Sequence, residues 1–289
     1  MRGRTVAFPR RPLVMGIVNI NDDSFSGDGS LEIEHVVETA QRQIAAGADI
    51  IDVGGESART NRPEIAEEEE AQRILPFVTR FQECYEGIGR VDSVQLFPPL
   101  LSINTWRSGV ADRVLQVAGD LLNDMSALPT DDNARIAARY DAGFLIMHSL
   151  GLPKQRHTHV HYTDVIRTLE DFFEEKIGLA TRAGVAREAI VLDPGIDFAK
   201  QRFDNLRIYR ELNKLEKFER PILLPISRKT VIGEVLKITD PMERDAGTIA
   251  CMVAGVLRGA SLFRVHNVRA VVQALRVIYP ILANAPGGR

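Results

Sequence analysis

The chain has 289 residues, of which 45% are hydrophobic and 26% charged, and its formal net charge is −3. This composition is typical of a globular protein, and the near-neutral charge argues against a surface for nucleic acid or anionic membrane. The only two cysteines, Cys84 and Cys251, argue against a disulfide framework or a zinc cluster and favour a reducing compartment. With no apolar run long enough to span a membrane and no signal peptide, we expect a cytoplasmic protein.

Apolar, strand-like runs alternate with helical segments along the chain. The predicted strands cover residues 13–18, 49–53, 100–103, 120–122, 143–147, 189–192, 222–226 and 262–265. The predicted helices cover residues 32–46, 67–82, 108–118, 131–140, 163–183, 205–217, 244–258 and 268–281. Eight alternating pairs predict an α/β protein with the (β/α)8 TIM barrel fold.

We expect a single domain over residues 1–289, with an N-terminal extension at 1–12 and a C-terminal tail at 283–289. An open, doubly wound sheet is the alternative fold. Its dinucleotide fingerprint, GxGxxG after the first strand, is absent from the sequence.

Polar residues lie at or just after the C-terminal end of each of the eight predicted strands. They are Asn19, Asp23, Glu56, Arg59, Asn104, Asn123, Asp124, His148, Asp193, Ser227, Arg228, Lys229, Arg264 and His266. Each alone is explained equally well as a helix cap, a turn residue or a surface cation. A barrel, however, brings the carboxyl ends of its strands to one mouth, where active sites lie. Together they therefore predict a small-molecule site.

Three kinds of chemistry are present among these residues. Carboxylate and amide groups that suit a flat, donor-rich heterocycle are those of Asn104, Asn123 and Asp193. Cationic groups that suit a phosphate are those of Arg59, Arg264 and His266. Oxygen ligands that suit Mg²⁺ held mainly by phosphate and water are those of Asn19 and Asp23.

Four histidines cluster in and after the fifth strand: His148, His157, His159 and His161. Their spacing suggests a zinc site, but the sequence places no carboxylate or cysteine beside them. We expect a polar loop instead.

Several sequence blocks, in order from about residue 15 to residue 268, resemble the motifs of the dihydropteroate synthases, which are pterin-binding (β/α)8 enzymes. GIVNINDDSFS is similar to GIxNxTPDSFSDGG, and GADIIDVGGESAR is similar to GAxIIDIGGESTRPG. IVLDPGIDFAK, ISRKTVIG and FRVHNV resemble ILDPGIGFGK, LSRKSFIG and xRVHDV. LSINTWR, LLNDMSAL and FLIMHSLGLP resemble the family's SVDT, INDVSG and MHxxGxP blocks. Together the blocks are far more specific than any one of them.

The resemblance implies a transferase that condenses (7,8-dihydropterin-6-yl)methyl diphosphate with 4-aminobenzoate in folate biosynthesis. It implies Mg²⁺ at Asn19 and a homodimer. The pterin would contact Asn104, Asn123, Asp193 and Lys229. The diphosphate would contact Arg59, Arg264 and His266. The aminobenzoate pocket would contain Phe25, Ala58, Thr60 and Thr230. The residues expected to carry catalysis are Asp193, Lys229 and Arg264.

The chain also departs from the family motifs. The departing residues are Asn21, Asp22, Ala58, Thr60, Asn104, Asp197, Ala199, Pro225, Thr230 and Asn267. Asn104 stands where the family has aspartate, and Asp197 stands where it has glycine. We therefore expect either an altered aminobenzoate pocket with lowered sulfonamide sensitivity or a lost synthase activity. The alternatives are an inactive, pterin-binding paralogue and a pterin-dependent methyltransferase, which would not need the diphosphate-binding cations.

Overall fold

Eight parallel strands form the centre of the protein. The structure is a computed structural model that describes residues 1–8, 10–21, 29–57, 63–151, 153–155 and 160–283. The strands are β1 Leu13–Asn19, β2 Ile50–Gly54, β3 Leu100–Asn104, β4 Leu121–Asp124, β5 Gly143–Met147, β6 Ile190–Asp193, β7 Leu223–Pro225 and β8 Leu262–Val265. Their order is β6-β5-β4-β3-β2-β1-β8-β7, and a parallel bridge between Leu192 and Ile222 joins β6 to β7. The predicted (β/α)8 barrel is confirmed.

The strands are rich in Ile, Leu and Val because both of their faces are covered. Alternate residues point to opposite faces. Met15, Ile50 and Leu145 belong to an apolar cluster inside the barrel, whereas Val14, Ile51 and Phe144 belong to the layer between strands and helices. The N-terminal segment, which includes Met1, Val6 and Phe8, packs against the inner cluster.

Helices surround the sheet. They are α1 Ile33–Ala45, α2 Glu67–Thr79, α3 Ser108–Val117, α4 Asp132–Arg139, α5 Val165–Arg182, α6 Arg202–Glu211, α7 Thr230–Leu236, α8 Asp245–Leu257 and α9 Val268–Ala283. In α1, Val36, Val37, Ala40 and Ile44 are buried along one face, as their helical spacing predicts. The four glutamates that open α2 lie at the end of the helix dipole that favours negative charge.

Two predicted helices end or begin at clearly different residues in the structure, and one further helix was not predicted. The helix predicted over 67–82 ends at Thr79 and is followed by a 3-10 turn, Phe81–Cys84. The helix predicted over 205–217 begins at Arg202 and gives way to a 3-10 turn, Leu212–Phe218. Between β7 and β8 the structure has α7 as well as the predicted α8. The seven residues of α7 are too few to show a clear helical periodicity in the sequence.

Five of the polar residues that were expected to follow strands instead lie in the last one or two positions of a strand. Asn19, Asn104, Asn123, Asp124 and Asp193 all belong to the sheet ladder. Their backbones are held by neighbouring strands, so their side chains are placed by the most rigid part of the fold. Within the described residues, no helix is both long and apolar enough to cross a membrane.

Candidate active site

A buried carboxylate, that of Asp52 in β2, is the centre of a hydrogen-bond cluster in the barrel. It accepts hydrogen bonds from Ser102 Oγ at 2.5 Å, Asn104 Nδ2 at 3.2 Å and Asn123 Nδ2 at 3.1 Å. Arg264 Nε donates to the same carboxylate at 2.7 Å. The sheet register aligns β2, β3 and β4, and Asn104 pairs directly with Asn123. Asp52 thus orients two residues of the predicted pterin site and one of the predicted diphosphate site.

The side chain of Asn104 has a buried acceptor without a partner. Asn104 is 4% exposed, and among the described residues its Oδ1 has no hydrogen-bond partner. The amide orientation follows from Asp52, because an ionised carboxylate accepts only and therefore requires the Nδ2 end. An unpaired buried oxygen costs about 1–3 kcal/mol, which a ligand N–H placed there would recover.

Asp193 ends β6 on the same side of the barrel. Its Oδ1 accepts a hydrogen bond from the backbone N–H of Gly195 at 2.7 Å. Burial raises the pKa of Asp193 to about 6, although the Gly195 hydrogen bond and the charges of Lys229, Lys200 and Arg264 act in the opposite direction.

Lys229 lies between β7 and α7 and reaches toward the loop after β6. Its Nζ donates to the carbonyl oxygen of Ile196 at 2.9 Å and lies 4.9 Å from the ring centre of Phe198. Burial lowers the pKa of Lys229, while Asp197 and Asp193 oppose this shift. The structure therefore places Asp193, at the end of β6, near Lys229, which follows β7.

His266, after β8, is held by Ser227, after β7. Ser227 Oγ lies 2.8 Å from His266 Nδ1 and accepts a hydrogen bond from the His266 backbone N–H at 3.2 Å. This pair fixes the orientation of the imidazole ring beside β8, the strand that also carries Arg264.

Arg228 makes an ion pair with Asp245. It is buried with a backbone φ of +56°, and its guanidinium donates from Nε to Asp245 Oδ1 at 2.9 Å. Asn267, which replaces the family aspartate, donates from Nδ2 to the other oxygen of Asp245 at 2.8 Å. In this chain Asp245 thus supplies the carboxylate that pairs with Arg228.

Lys200, which was not predicted from the sequence, is buried beside the predicted residue His148. Lys200 Nζ lies 2.8 Å from His148 Nδ1 and donates to the carbonyl oxygen of Phe198 at 3.0 Å. Burial lowers the pKa of Lys200 to about 7 and that of His148 to about 2. A neutral His148 therefore accepts from Lys200 at Nδ1.

Glu56 anchors loops at the mouth of the barrel. Its carboxylate binds the guanidinium of Arg107, which also binds Glu70 at 2.5 Å and the carbonyl oxygen of Ile65 at 3.0 Å. Lys154, from the loop after β5, lies 2.5 Å from the other carboxylate oxygen of Glu56. The network joins the segments that follow β2, β3 and β5. Arg107 and Lys154 were not predicted, because each is a common surface cation in sequence terms.

The remaining predicted residues are placed only in part. Asn19 is half-buried at the end of β1, and its carbonyl oxygen accepts from Ser30 N at 3.1 Å. Thr230 is exposed at the first position of α7. Residues that lie outside the described ranges are Asp23, Phe25, Ala58, Arg59, Thr60, His157 and His159.

The chain is similar to known proteins along nearly its whole length. A family model described as "Pterin binding enzyme" matches residues 15–266. The dihydropteroate synthase of Escherichia coli (strain K12) is 36% identical over 273 residues, which cover 94% of this chain and 92% of the relative. A crystal structure of the Yersinia pestis dihydropteroate synthase with a sulfonamide drug has a TM-score of 0.84 at 33% identity, covering 94% of both chains.

A second solved structure contains one of the expected substrates. The Xanthomonas albilineans dihydropteroate synthase with 4-aminobenzoic acid has a TM-score of 0.81 at 31% identity, covering 96% of this chain and 94% of that one. The chain therefore belongs to the pterin-binding enzymes and, within them, to the dihydropteroate synthases.

Proposed function

We propose that this chain is a transferase of folate biosynthesis that condenses (7,8-dihydropterin-6-yl)methyl diphosphate with 4-aminobenzoate to give 7,8-dihydropteroate and diphosphate. The observation that carries the proposal is the cluster that Asn104, Asn123 and Arg264 form around the buried Asp52, with Asp193 and Lys229 near the neighbouring strand ends. This arrangement supports a role for the mouth in binding a donor-rich ring beside a leaving anion.

The pterin ring carries several N–H donors and a carbonyl oxygen. Asp193 and the unpartnered Oδ1 of Asn104 would accept from the donors, and Lys229 would donate to the carbonyl oxygen. Asn123, whose amide is held by Asp52, would lie against the ring beside them. Because Lys229 already donates to Ile196 O, its ammonium is oriented before the ligand arrives.

The diphosphate would be held by Arg264, His266 and Arg59. Arg264 Nε donates to Asp52, and among the described residues the two terminal nitrogens of its guanidinium make no hydrogen bond, so they would bind an anion. In the reaction the bond between the methylene carbon and the diphosphate oxygen breaks, and its electron pair leaves with the diphosphate. The amine nitrogen of aminobenzoate forms the new bond to carbon and releases a proton. These cations stabilise the charge that develops on the leaving group.

Mg²⁺ would fit beside Asn19. The described residues include no group of three or more His, Cys, Asp or Glu side chains that could hold a metal ion. A single amide oxygen suits Mg²⁺ that takes its other ligands from diphosphate and water. When bound, the ion supplies positive charge to the diphosphate.

The aminobenzoate pocket would combine Thr230 with Phe25, Ala58 and Thr60. Thr230 is exposed at the start of α7, directly after Lys229, so a second substrate could reach the pterin from this side. We also propose that Ala58, Thr60 and Thr230 lower the sensitivity of the enzyme to sulfonamides. This part of the proposal rests on the sequence.

Asn104 does not by itself favour an inactive paralogue. An inactive site was one interpretation of the lost family carboxylate. The unpartnered Oδ1 keeps an acceptor at this position, which supports retained pterin binding. The relatives and solved structures give no support to a methyltransferase.

A homodimer is part of the proposal. Exposed apolar side chains lie on α6, α7 and the turn after α7: Phe203, Leu206, Val235, Leu236 and Met242. Helices α6 and α7 contact each other, so these residues lie on neighbouring elements that a second copy of the chain could cover. The cytoplasmic location stays a prediction from the sequence.

The proposal is tested by incubating the purified chain with both substrates and Mg²⁺ and measuring dihydropteroate. We expect turnover in the wild type and its loss in Lys229→Ala. Lys217→Ala is the matched control, because Lys217 is an exposed lysine on the 3-10 turn before β7. Pterin binding without turnover in the wild type would contradict the synthase and favour the inactive paralogue.

A further inference from the structure

Asp197 lies in the loop between β6 and α6 and stands where the family motif has glycine. Its backbone φ is +67°, in the left-handed region that glycine adopts without strain and that aspartate tolerates better than most residues. The side chain is half-buried. An aspartate in this strained backbone conformation is explained if its side chain makes contacts that offset the strain.

The carboxylate of Asp197 caps a helix that belongs to a different strand–helix unit. Thr230 N donates to Asp197 Oδ2 at 2.5 Å, and Val231 N donates to Asp197 Oδ1 at 3.2 Å. These are the first two residues of α7. The N-cap residue of α7, Lys229, makes no capping hydrogen bond with its own side chain. The helix therefore depends on Asp197 for two of its initial N–H groups.

Asn205 holds Asp197 in place. Its Nδ2 donates to Asp197 Oδ1 at 3.1 Å, and its Oδ1 accepts from Asp197 N at 2.9 Å. Asn205 is buried in the first turn of α6. Asp197 is therefore held by Asn205 of α6 and caps the first residues of α7.

The same loop also receives the side chain of Lys229. Ile196 O accepts from Lys229 Nζ at 2.9 Å, one residue before the cap on Thr230 and Val231. The β6–α6 loop therefore binds the backbone N–H groups of Thr230 and Val231 as well as the ammonium group of Lys229. Asp197 and Asp193 are the carboxylates that face Lys229, and Arg264 and Lys200 are the cations near it.

We propose that Asp197 is a positioning residue for the condensation, and that it fixes Lys229 for the pterin and Thr230 for aminobenzoate through its cap on α7. This inference rests on the proposed function. In this chain the carboxylate of Asp197 holds the start of α7. The glycine at this position of the family motif has no side chain that could do so.

The first test compares Asp197→Gly, which restores the family residue, with Asp197→Asn, which keeps one acceptor oxygen but loses the charge. We expect Asp197→Gly to raise the KM values for both substrates about fivefold or more, since a lost cap is worth about 1 kcal/mol. Asp197→Asn should lie between this variant and the wild type.

The control is Asp164→Ala, which removes a helix cap elsewhere in the fold. Asp164 also caps a helix with two hydrogen bonds, because its Oδ1 accepts from Ile166 N and Arg167 N at the start of α5. We expect this variant to lose stability without a change in either KM. If Asp197→Gly behaves in the same way, Asp197 is only a structural cap and the inference is wrong.

A pH profile gives a second readout, which reports the effect of the Asp197 charge on Lys229. Asp197 raises the pKa of Lys229, so its removal should lower that pKa. Loss of kcat/KM on the alkaline side should then begin at a lower pH in Asp197→Gly than in the wild type. An unchanged alkaline limb would contradict the inference.

The two proposals fail in different ways. If the wild type forms no dihydropteroate, the proposed function is wrong, and pterin affinity measured by calorimetry still tests Asp197. A pterin affinity that is equal in the wild type, Asp197→Gly and Asp197→Asn would overturn the positioning role even though the proteins fold.

Discussion

Asn104 donates from its Nδ2 to Asp52 Oδ2 over 3.2 Å, and this contact leaves Asn104 Oδ1 as a buried acceptor. Asp52 also receives hydrogen bonds from Ser102, Asn123 and Arg264. One negative charge is therefore shared by four donors. The amide at position 104 both stabilises that charge and keeps an oxygen for a ligand.

The first prediction concerns Asn104→Asp. The substitution places a second carboxylate beside Asp52, and two neighbouring carboxylates raise the pKa of one of them. A carboxyl group whose pKa is raised in the folded state destabilises the protein at pH values above that pKa. It has no effect on stability at pH values below its pKa in the unfolded state. We expect the free energy of unfolding to fall relative to the wild type by about 1–3 kcal/mol at pH 8, with a smaller difference at pH 5.

Urea denaturation at the two pH values measures this effect. The control is the double variant Asp52→Asn with Asn104→Asp, which exchanges the two groups and restores a single negative charge. It should recover part of the loss at pH 8. A stability difference between Asn104→Asp and the wild type that does not depend on pH would contradict the charge argument.

The second prediction concerns the pH dependence of pterin binding. The pKa of Asp193 is raised to about 6 by burial, and the carboxylate must be ionised to accept pterin N–H groups. As the pH falls through 6 the acceptor is lost. We expect the Kd for the pterin diphosphate to increase by up to about tenfold per pH unit below 6.

Calorimetry between pH 5 and pH 8 measures this dependence. Binding below pH 6 should also release a proton from Asp193, which is detected by repeating the titration in buffers of different ionisation enthalpy. In Asp193→Asn the affinity should be weak throughout, with this pH dependence removed. The same pH dependence in Asp193→Asn would assign the titration to another group.

The third prediction concerns Arg228 and Asp245. The guanidinium of Arg228 is buried and depends on Asp245 for its pairing, whereas Asp245 is about one-third exposed. We expect Asp245→Ala to reduce the free energy of unfolding by about 2 kcal/mol because the buried cation loses its partner.

The kcat of the folded Asp245→Ala enzyme should remain close to that of the wild type, because Arg228 does not face the substrates in the proposed site. Glu68→Ala is the control. Glu68 pairs with Arg113 on the surface, where solvent screens the interaction, so we expect no measurable loss of stability. A large loss of kcat in Asp245→Ala would place Arg228 in the catalytic site.

The fold was predictable because its signal is repeated. Each of the eight buried strands is a short apolar run, and each is followed by a helical segment, so the barrel did not depend on any one assignment. The short helix α7 was missed, since seven residues give little periodicity. The predicted ends of β1, β3, β4 and β6 were one or two residues too early, because these strands end in Asn or Asp, which are typical of turns.

The site was predicted less completely, since its centre lies within a strand. Asp52 was not predicted because it lies within β2, whereas site residues were expected after the strand ends. The signal was present in IIDVG, where a charged residue occupies an otherwise apolar buried run. Lys200 and Arg107 depend on partners far away in sequence, so their burial could not be inferred from local patterns.

The central claim is that this chain is an active synthase in which the Asn104 amide serves in place of the family carboxylate. The most direct test is kcat/KM for the pterin diphosphate, measured with saturating aminobenzoate and Mg²⁺ in the wild type, Asn104→Asp and Asn104→Leu. We predict clear turnover in the wild type, a value for Asn104→Asp within about a hundredfold of it, and a large loss in Asn104→Leu. A wild type without turnover and an active Asn104→Asp would contradict the claim.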